Sequence, residues 1–120
     1  MAMNTQPGFV EAVKSPGVTL TTTTLTTLYT AGADGGFTDS IWVYPTSTYS
    51  GSGAIQLYLN DGTDRLLGQY TISAGVAFNL LDGTNLPAKI NLQASAVLKV
   101  QMTAISAGSV YAVITNGGDY

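Results

Sequence analysis

Short segments in which apolar and polar residues alternate fill this chain from residue 18 to residue 116. A period of two places successive side chains on opposite sides of an extended strand. The threonine, valine and tyrosine that recur in these segments suit a pleated surface. Turns containing glycine or proline separate the segments, which we read as nine strands. The predicted strands are 18–24, 25–30, 37–44, 54–59, 65–72, 76–81, 89–93, 97–104 and 110–116.

No segment shows sustained helical periodicity, so the chain offers no crossover helix to connect parallel strands. Short strands at regular spacing are typical of a sandwich or a barrel. The sequence therefore predicts an all-β fold, an antiparallel β-sandwich that is jelly-roll-like and has eight or nine short strands. A chain of 120 residues predicts one such domain. We assign it to residues 18–120 and assign residues 1–17, which hold two Pro-Gly pairs, to an extended N-terminal arm.

The composition disfavours catalysis and charged partners. The chain contains no histidine, the usual proton shuttle at neutral pH, and no cysteine, the usual thiolate nucleophile and zinc ligand. Only 9% of the residues are charged, and the net charge is −3, which gives no electrostatic footprint for nucleic acid. We expect no enzymatic activity, no cofactor, no metal site, and neither nucleic acid nor a membrane as a partner.

Two aspartates could in principle offer oxygen ligands to Ca²⁺, since Asp61 and Asp64 are only three residues apart. The same stretch, Asn60-Asp61-Gly62, is a strong signal for a hairpin turn. The full pattern of a calcium-binding loop is absent, so the turn interpretation is preferred.

Two predicted strands are apolar on both sides and suggest a contact surface. In 37–44, Ile41 and Val43 alternate with Trp42 and Tyr44, and in 110–116 an aliphatic series alternates with Tyr111. If the aliphatic residues form the core, the aromatic rings line a second surface, which a crossing loop or the arm could also cover. Tyrosine and tryptophan are enriched in subunit interfaces, and they also stack on sugars. We predict an oligomer interface and keep glycan binding as the alternative. The candidate interface residues are Trp42, Tyr44, Tyr58 and Tyr111.

The first 17 residues can be read in two ways. The first interpretation is a terminus that frays and has no specific role. The other is an arm that lies on a partner, in which Phe9, Val10 and Val13 are the apolar anchors. We predict that these three side chains contact the partner.

The remaining signal lies in short strings in a fixed order between residue 18 and the last residue. They are 27–32 (TLYTAG), 55–62 (IQLYLNDG), 66–68 (LLG), 80–81 (LL), 86–87 (LP), 98–100 (LKV), 107–108 (AG) and 117–120 (GGDY). In this order they resemble small virion proteins of tailed bacteriophages and prophages. The resemblance does not cover residues 1–17.

The resemblance implies a capsid decoration (cement) protein, a structural component without catalytic residues that is often a trimer. Its implied partners are the major capsid protein and further copies of itself, and its implied location is the capsid surface of the virion after synthesis in the host cytoplasm. The alternatives are a neck, tail or fibre component, or a glycan-binding adhesin module of the virion.

Overall fold

The computed structural model describes residues 12–45, 53–71, 76–84, 86–105 and 109–120. Over these residues the chain is all-β, with ten strands in two antiparallel sheets and no helix. The strands are β1 (Ala12–Lys14), β2 (Gly17–Leu20), β3 (Thr26–Thr30), β4 (Gly36–Pro45), β5 (Ala54–Asn60), β6 (Asp64–Thr71), β7 (Phe78–Asn79), β8 (Ile90–Leu92), β9 (Val97–Met102) and β10 (Tyr111–Asp119).

Sheet A is built around β10 and β4, which pair along almost their full length. The other edge of β10 pairs with β1 near its end and with β2 near its start. The other edge of β4 pairs with β8 and β7. Sheet B has the order β3-β9-β5-β6.

The two sheets share one buried core, and alternation along the strands determines which side chains enter it. Ile55 and Leu57 of β5 are fully buried, as are Leu98, Val100 and Met102 of β9. These are the inward positions that the period-two pattern predicts for both strands. From sheet A, the fully buried side chains include Ile41, Val43 and Val113.

The ordered sheet begins earlier than the sequence suggests. Residues 12–14 form β1, and β2 begins at Gly17, so residues 12–17 accompany β10 instead of forming part of a separate arm. Pro16 has no N–H to donate, but its carbonyl accepts a hydrogen bond from the Thr115 N–H at 3.0 Å. The chain therefore stays beside β10 across the proline, and β1 is the strand that the sequence interpretation missed.

A β-bulge interrupts the pairing of β4 with β10. Asn116 pairs with Ser40 and Gly117 with Thr38, so Asp39 is an extra residue on β4. On the buried side of the bulge, the Thr38 and Thr115 hydroxyls contact each other, and each also hydrogen-bonds the Ser40 carbonyl, at 3.0 and 2.9 Å. These bonds satisfy both threonine hydroxyls, which are buried.

Candidate docking surface

Three large apolar side chains of β4 and β10, each about half exposed, lie on the outer side of sheet A. Trp42 and Tyr44 alternate with the buried Ile41 and Val43 on β4, so they must point away from the core. Ile114 is directly opposite Trp42 on β10 and shares its side of the sheet. Trp42, Tyr44 and Ile114 are 43%, 47% and 46% exposed, and we call these three residues the apolar face.

The neighbours of the apolar face within sheet A are small or uncharged. Gly17 pairs with Ile114 and has no side chain to cover it, while Tyr44 lies opposite the small Ala112. The remaining neighbours in register are Thr19, Ser40, Asn79 and Asn116, and the Asn116 Nδ2 donates a hydrogen bond to Ser40 Oγ at 3.2 Å. The positions in register with the apolar face are thus uncharged, as is typical of the core of a contact surface, where charged residues are depleted.

Of the four residues predicted for the interface, only Trp42 and Tyr44 lie together. Tyr58 is on the outer side of sheet B, where its hydroxyl hydrogen-bonds Gln56 Oε1 at 3.3 Å. Its cross-strand neighbours are Leu66, which is 50% exposed, and Lys99, and the adjacent row holds Gln56, Gln69 and Gln101. The local sequence pattern could not assign Tyr58 to a different sheet, because sheet membership depends on the long-range pairing of β5 with β9.

Tyr111 is not on the apolar face, and its predicted exposure is wrong. Its side chain is fully buried in the core, and Ile114 occupies the outer side instead. The register explains the inversion, since Val113 pairs with the buried Val43 and must share its side. The strand 110–116 is apolar on both sides, so its own pattern does not indicate which of the two sides faces the core. Only the pairing with β4 would have identified Ile114.

Among the predicted arm residues, Val13 is described, whereas Phe9 and Val10 lie outside the described residues. Val13 pairs with Gly118 of β10, which alternation places on the same side as Ile114. Its side chain is 82% exposed. Val13 therefore extends the outward apolar surface of sheet A along the end of β10.

The end of β10 is tied to both sheets through Asp119. Lys14 of β1 forms an ion pair with it (Nζ to Oδ2, 2.5 Å), and the Gly32 N–H donates to Oδ1 at 3.2 Å. The Tyr29 hydroxyl of β3 contacts the same carboxylate and the Gly118 carbonyl. The bonds from Lys14 and Tyr29 lower the pKa of Asp119, while burial and the adjacent carboxylate raise the pKa of Tyr29. We call Lys14, Tyr29 and Asp119 the clasp.

We expect the clasp to make stability depend on pH. The pKa of Asp119 is lower in the folded chain than in the unfolded chain, so its stabilisation is complete above the unfolded value of about 4 and is lost as the pH falls through the folded value. Asp119→Asn should lower the free energy of unfolding by roughly 1–2 kcal/mol at neutral pH. Urea unfolding at pH 7 and at acid pH measures this, and the deficit should shrink in acid. Asp34→Asn, in an exposed turn, is the control, and a deficit equal to that of Asp119→Asn would contradict the clasp.

The turn aspartates already have partners. Asp61 pairs with Arg65 at 3.3 Å, and Asp64 pairs with Lys99 at 3.1 Å and accepts a hydrogen bond from Asn60 at 2.6 Å. The Gly62 N–H bonds Asn60 Oδ1, and Gly62 has a φ of 121°, which glycine adopts readily. The hairpin interpretation accounts for these residues, and in the described part of the chain no three Asp or Glu side chains cluster as a metal site would require.

Within the described ranges no helix has the length and apolar character needed to cross a membrane. Comparisons with models of protein families, with curated proteins and with solved structures gave no match.

Proposed function

We propose that this chain is a structural protein of a tailed-phage virion that decorates the capsid, binding the major capsid protein and further copies of itself. One observation carries the proposal, namely an apolar face of two aromatic rings and an isoleucine whose sheet neighbours are uncharged. Such a face is expensive to leave in water, at about 25 cal/mol per Å² of apolar surface. The order of the short sequence strings that resemble small virion proteins supports the same assignment.

The strand order supports a jelly roll, which we propose as the finer description of the fold. Apart from the pairs β1–β2, β5–β6 and β7–β8, successive strands lie in different sheets. The resulting order is β2-β10-β4 with β7 and β8 in one sheet and β3-β9-β5-β6 in the other. Two interleaved Greek keys produce this order when the sheets stack face to face. Jelly rolls occur in viral capsid proteins and in lectins, so the architecture suits a virion protein and, by fold-level analogy only, also the glycan-binding alternative.

The proposed role requires no catalytic step and no cofactor. Without histidine or cysteine, the chain has neither the usual neutral-pH base nor a thiolate nucleophile. A decoration protein acts by mass action, because it binds the assembled lattice and shifts the equilibrium away from rupture.

We propose that copies associate through the apolar face in a closed oligomer, for which a trimer is the number implied by the resemblance. The double variant Trp42→Ser, Tyr44→Ser should weaken self-association at least ~100-fold, because buried aromatic anchors dominate interface energies. Analytical ultracentrifugation measures this. Leu66→Ser removes a comparably exposed apolar side chain from sheet B and is the matched control. Equal weakening by both changes would place the interface elsewhere.

The arm is proposed to contact the capsid. β1, which follows residues 1–11, pairs with residues 117–119 of β10 and leaves Val13 82% exposed. Deleting residues 2–11 removes Phe9 and Val10 but leaves β1 in place. Added to bare expanded capsids, this variant should bind weakly and protect little against heat, whereas the full chain binds and protects. Undiminished protection by the shortened chain would show that the arm is dispensable. Failure of both chains to bind capsids would favour the fibre or adhesin alternative.

A further inference from the structure

β1 is a strand that the other described residues leave exposed. It has three residues, all of them exposed, and within the described part of the chain its only strand partner is β10. Its one side-chain anchor among the described contacts is the ion pair of Lys14 with Asp119, in which Lys14 is 45% exposed. Because β1 buries little apolar surface, its detachment breaks only this ion pair and the backbone pairing with β10 among the described contacts.

The connection from β1 to β2 borders an open groove and is held to β10 at one point, the hydrogen bond from the Thr115 N–H to the Pro16 carbonyl. Ser15 and Pro16, together with Lys14, line one wall of an open groove of about 430 Å³ whose other wall is β3. The proline restricts Ser15 to extended conformations, so this connection favours an extended path over a tight reversal. On its far side, β2 is held by its own pairing with residues 111–114 and can remain in place when β1 leaves.

The site that β1 would vacate is held by other contacts. Residues 117–119 of β10 pair with residues 36–38 of β4 on their second edge. Asp119 is held by Tyr29 and by the Gly32 N–H, both independent of β1. If β1 leaves, the edge of β10 and the Asp119 carboxylate therefore stay in place and can bind another strand with the sequence of β1.

We propose that β1 exchanges between copies of this chain, so that Ala12–Lys14 of one copy pairs with residues 117–119 of another. Every contact of β1 is then reproduced between copies, with Lys14 of one chain on Asp119 of its neighbour, and exchange of an identical element is a low-cost route to association. Reciprocal exchange closes a pair, and sequential exchange around a ring closes a cyclic oligomer. The exchange rests on the self-association in the proposed function and gives it a structural basis. Because it is tested on the isolated protein without capsids, the exchange and the capsid role can be refuted independently.

The test uses the wild-type chain and a zero-length carbodiimide, which joins a lysine amine to an activated carboxylate with release of a urea. Equal amounts of unlabelled and ¹⁵N-labelled protein are unfolded together, refolded at high concentration and cross-linked, and the linked peptides are identified by mass spectrometry. If all copies exchange at random, about half of the Lys14–Asp119 links will join a labelled to an unlabelled peptide. The ion pair of Lys99 with Asp64, 3.1 Å apart within sheet B, is the internal control and should give same-label links only.

Lys14–Asp119 links that are same-label only would overturn the exchange. Mixed labels at both pairs in equal proportion would also overturn it, because the association would then not be specific to β1. Absence of any Lys14–Asp119 link, with the control link present, would contradict the ion pair on which the exchange depends. Mixed labels confined to Lys14–Asp119, which disappear on dilution before refolding, would establish it.

Discussion

Replacing Tyr111 by alanine is expected to lower the free energy of unfolding by about 3–5 kcal/mol, the range for large aromatic truncations in a core. Tyr111 is fully buried between the sheets, so its removal leaves a cavity that the surrounding strands can fill only in part. The expected loss is a large part of the total stability of a domain of this size.

Tyr44→Ala is the matched control because it makes the same chemical change on the outer side of the same sheet. Its side chain is about half exposed, so the expected loss for the isolated subunit is about 1 kcal/mol or less. Urea unfolding of both variants under conditions that favour single subunits measures the difference. If Tyr111→Ala were no more destabilising than Tyr44→Ala, the core position of Tyr111 would be wrong. The result would then favour the sequence-based prediction that Tyr111 lies on a contact surface.

Gly117→Ala is expected to be equally severe, with a loss of more than about 3 kcal/mol or a failure to fold. A Cβ atom at residue 117 would overlap the carbonyl oxygen of Phe37 and lie 2.8 Å from the Cα of Thr38. These are backbone atoms of β4 at the bulge, so they cannot move aside without breaking the pairing of the two central strands of sheet A.

Gly17→Ala provides the comparison for this backbone effect. A Cβ at residue 17 would meet the Cγ1 of Ile114 at 3.2 Å and the Val113 carbonyl at 3.3 Å. The nearest atom belongs to an exposed side chain that can rotate away, so we expect a change within about 1 kcal/mol. Thermal unfolding followed by circular dichroism suffices to compare the two glycine variants, and similar midpoints would show that β4 and β10 are not closely paired at the bulge.

How far the sequence predicts the fold depends on how clearly each strand distinguishes its two sides. In β5 and β9 one side is aliphatic and the other polar, so the inward residues could be predicted from local pattern alone. In β10 both sides are apolar, and the inward phase is fixed only by the pairing of Val113 with Val43. β1 was missed because the proline at residue 16 suggested an interruption, whereas the proline carbonyl still joins the sheet.

The candidate surface was predictable to a similar extent. Trp42 and Tyr44 are exposed, as their alternation with the core residues Ile41 and Val43 predicts. The positions of Tyr58 and Ile114 could not be predicted, because a sequence pattern indicates which residues share one side of a strand but not which strands pair or share a sheet. Sheet membership follows from contacts between residues far apart in the chain.

The neutral setting of the apolar face determines the conditions under which it can hold a partner. Gly17, Thr19, Ser40, Asn79, Ala112 and Asn116 surround it in register, so no ion pair at these positions is there to be screened. Association through this face should therefore persist as ionic strength rises and strengthen in sulfate or phosphate, because such ions favour apolar burial. Apolar association also weakens on cooling, so a complex formed through this face should dissociate at low temperature rather than at high salt concentration.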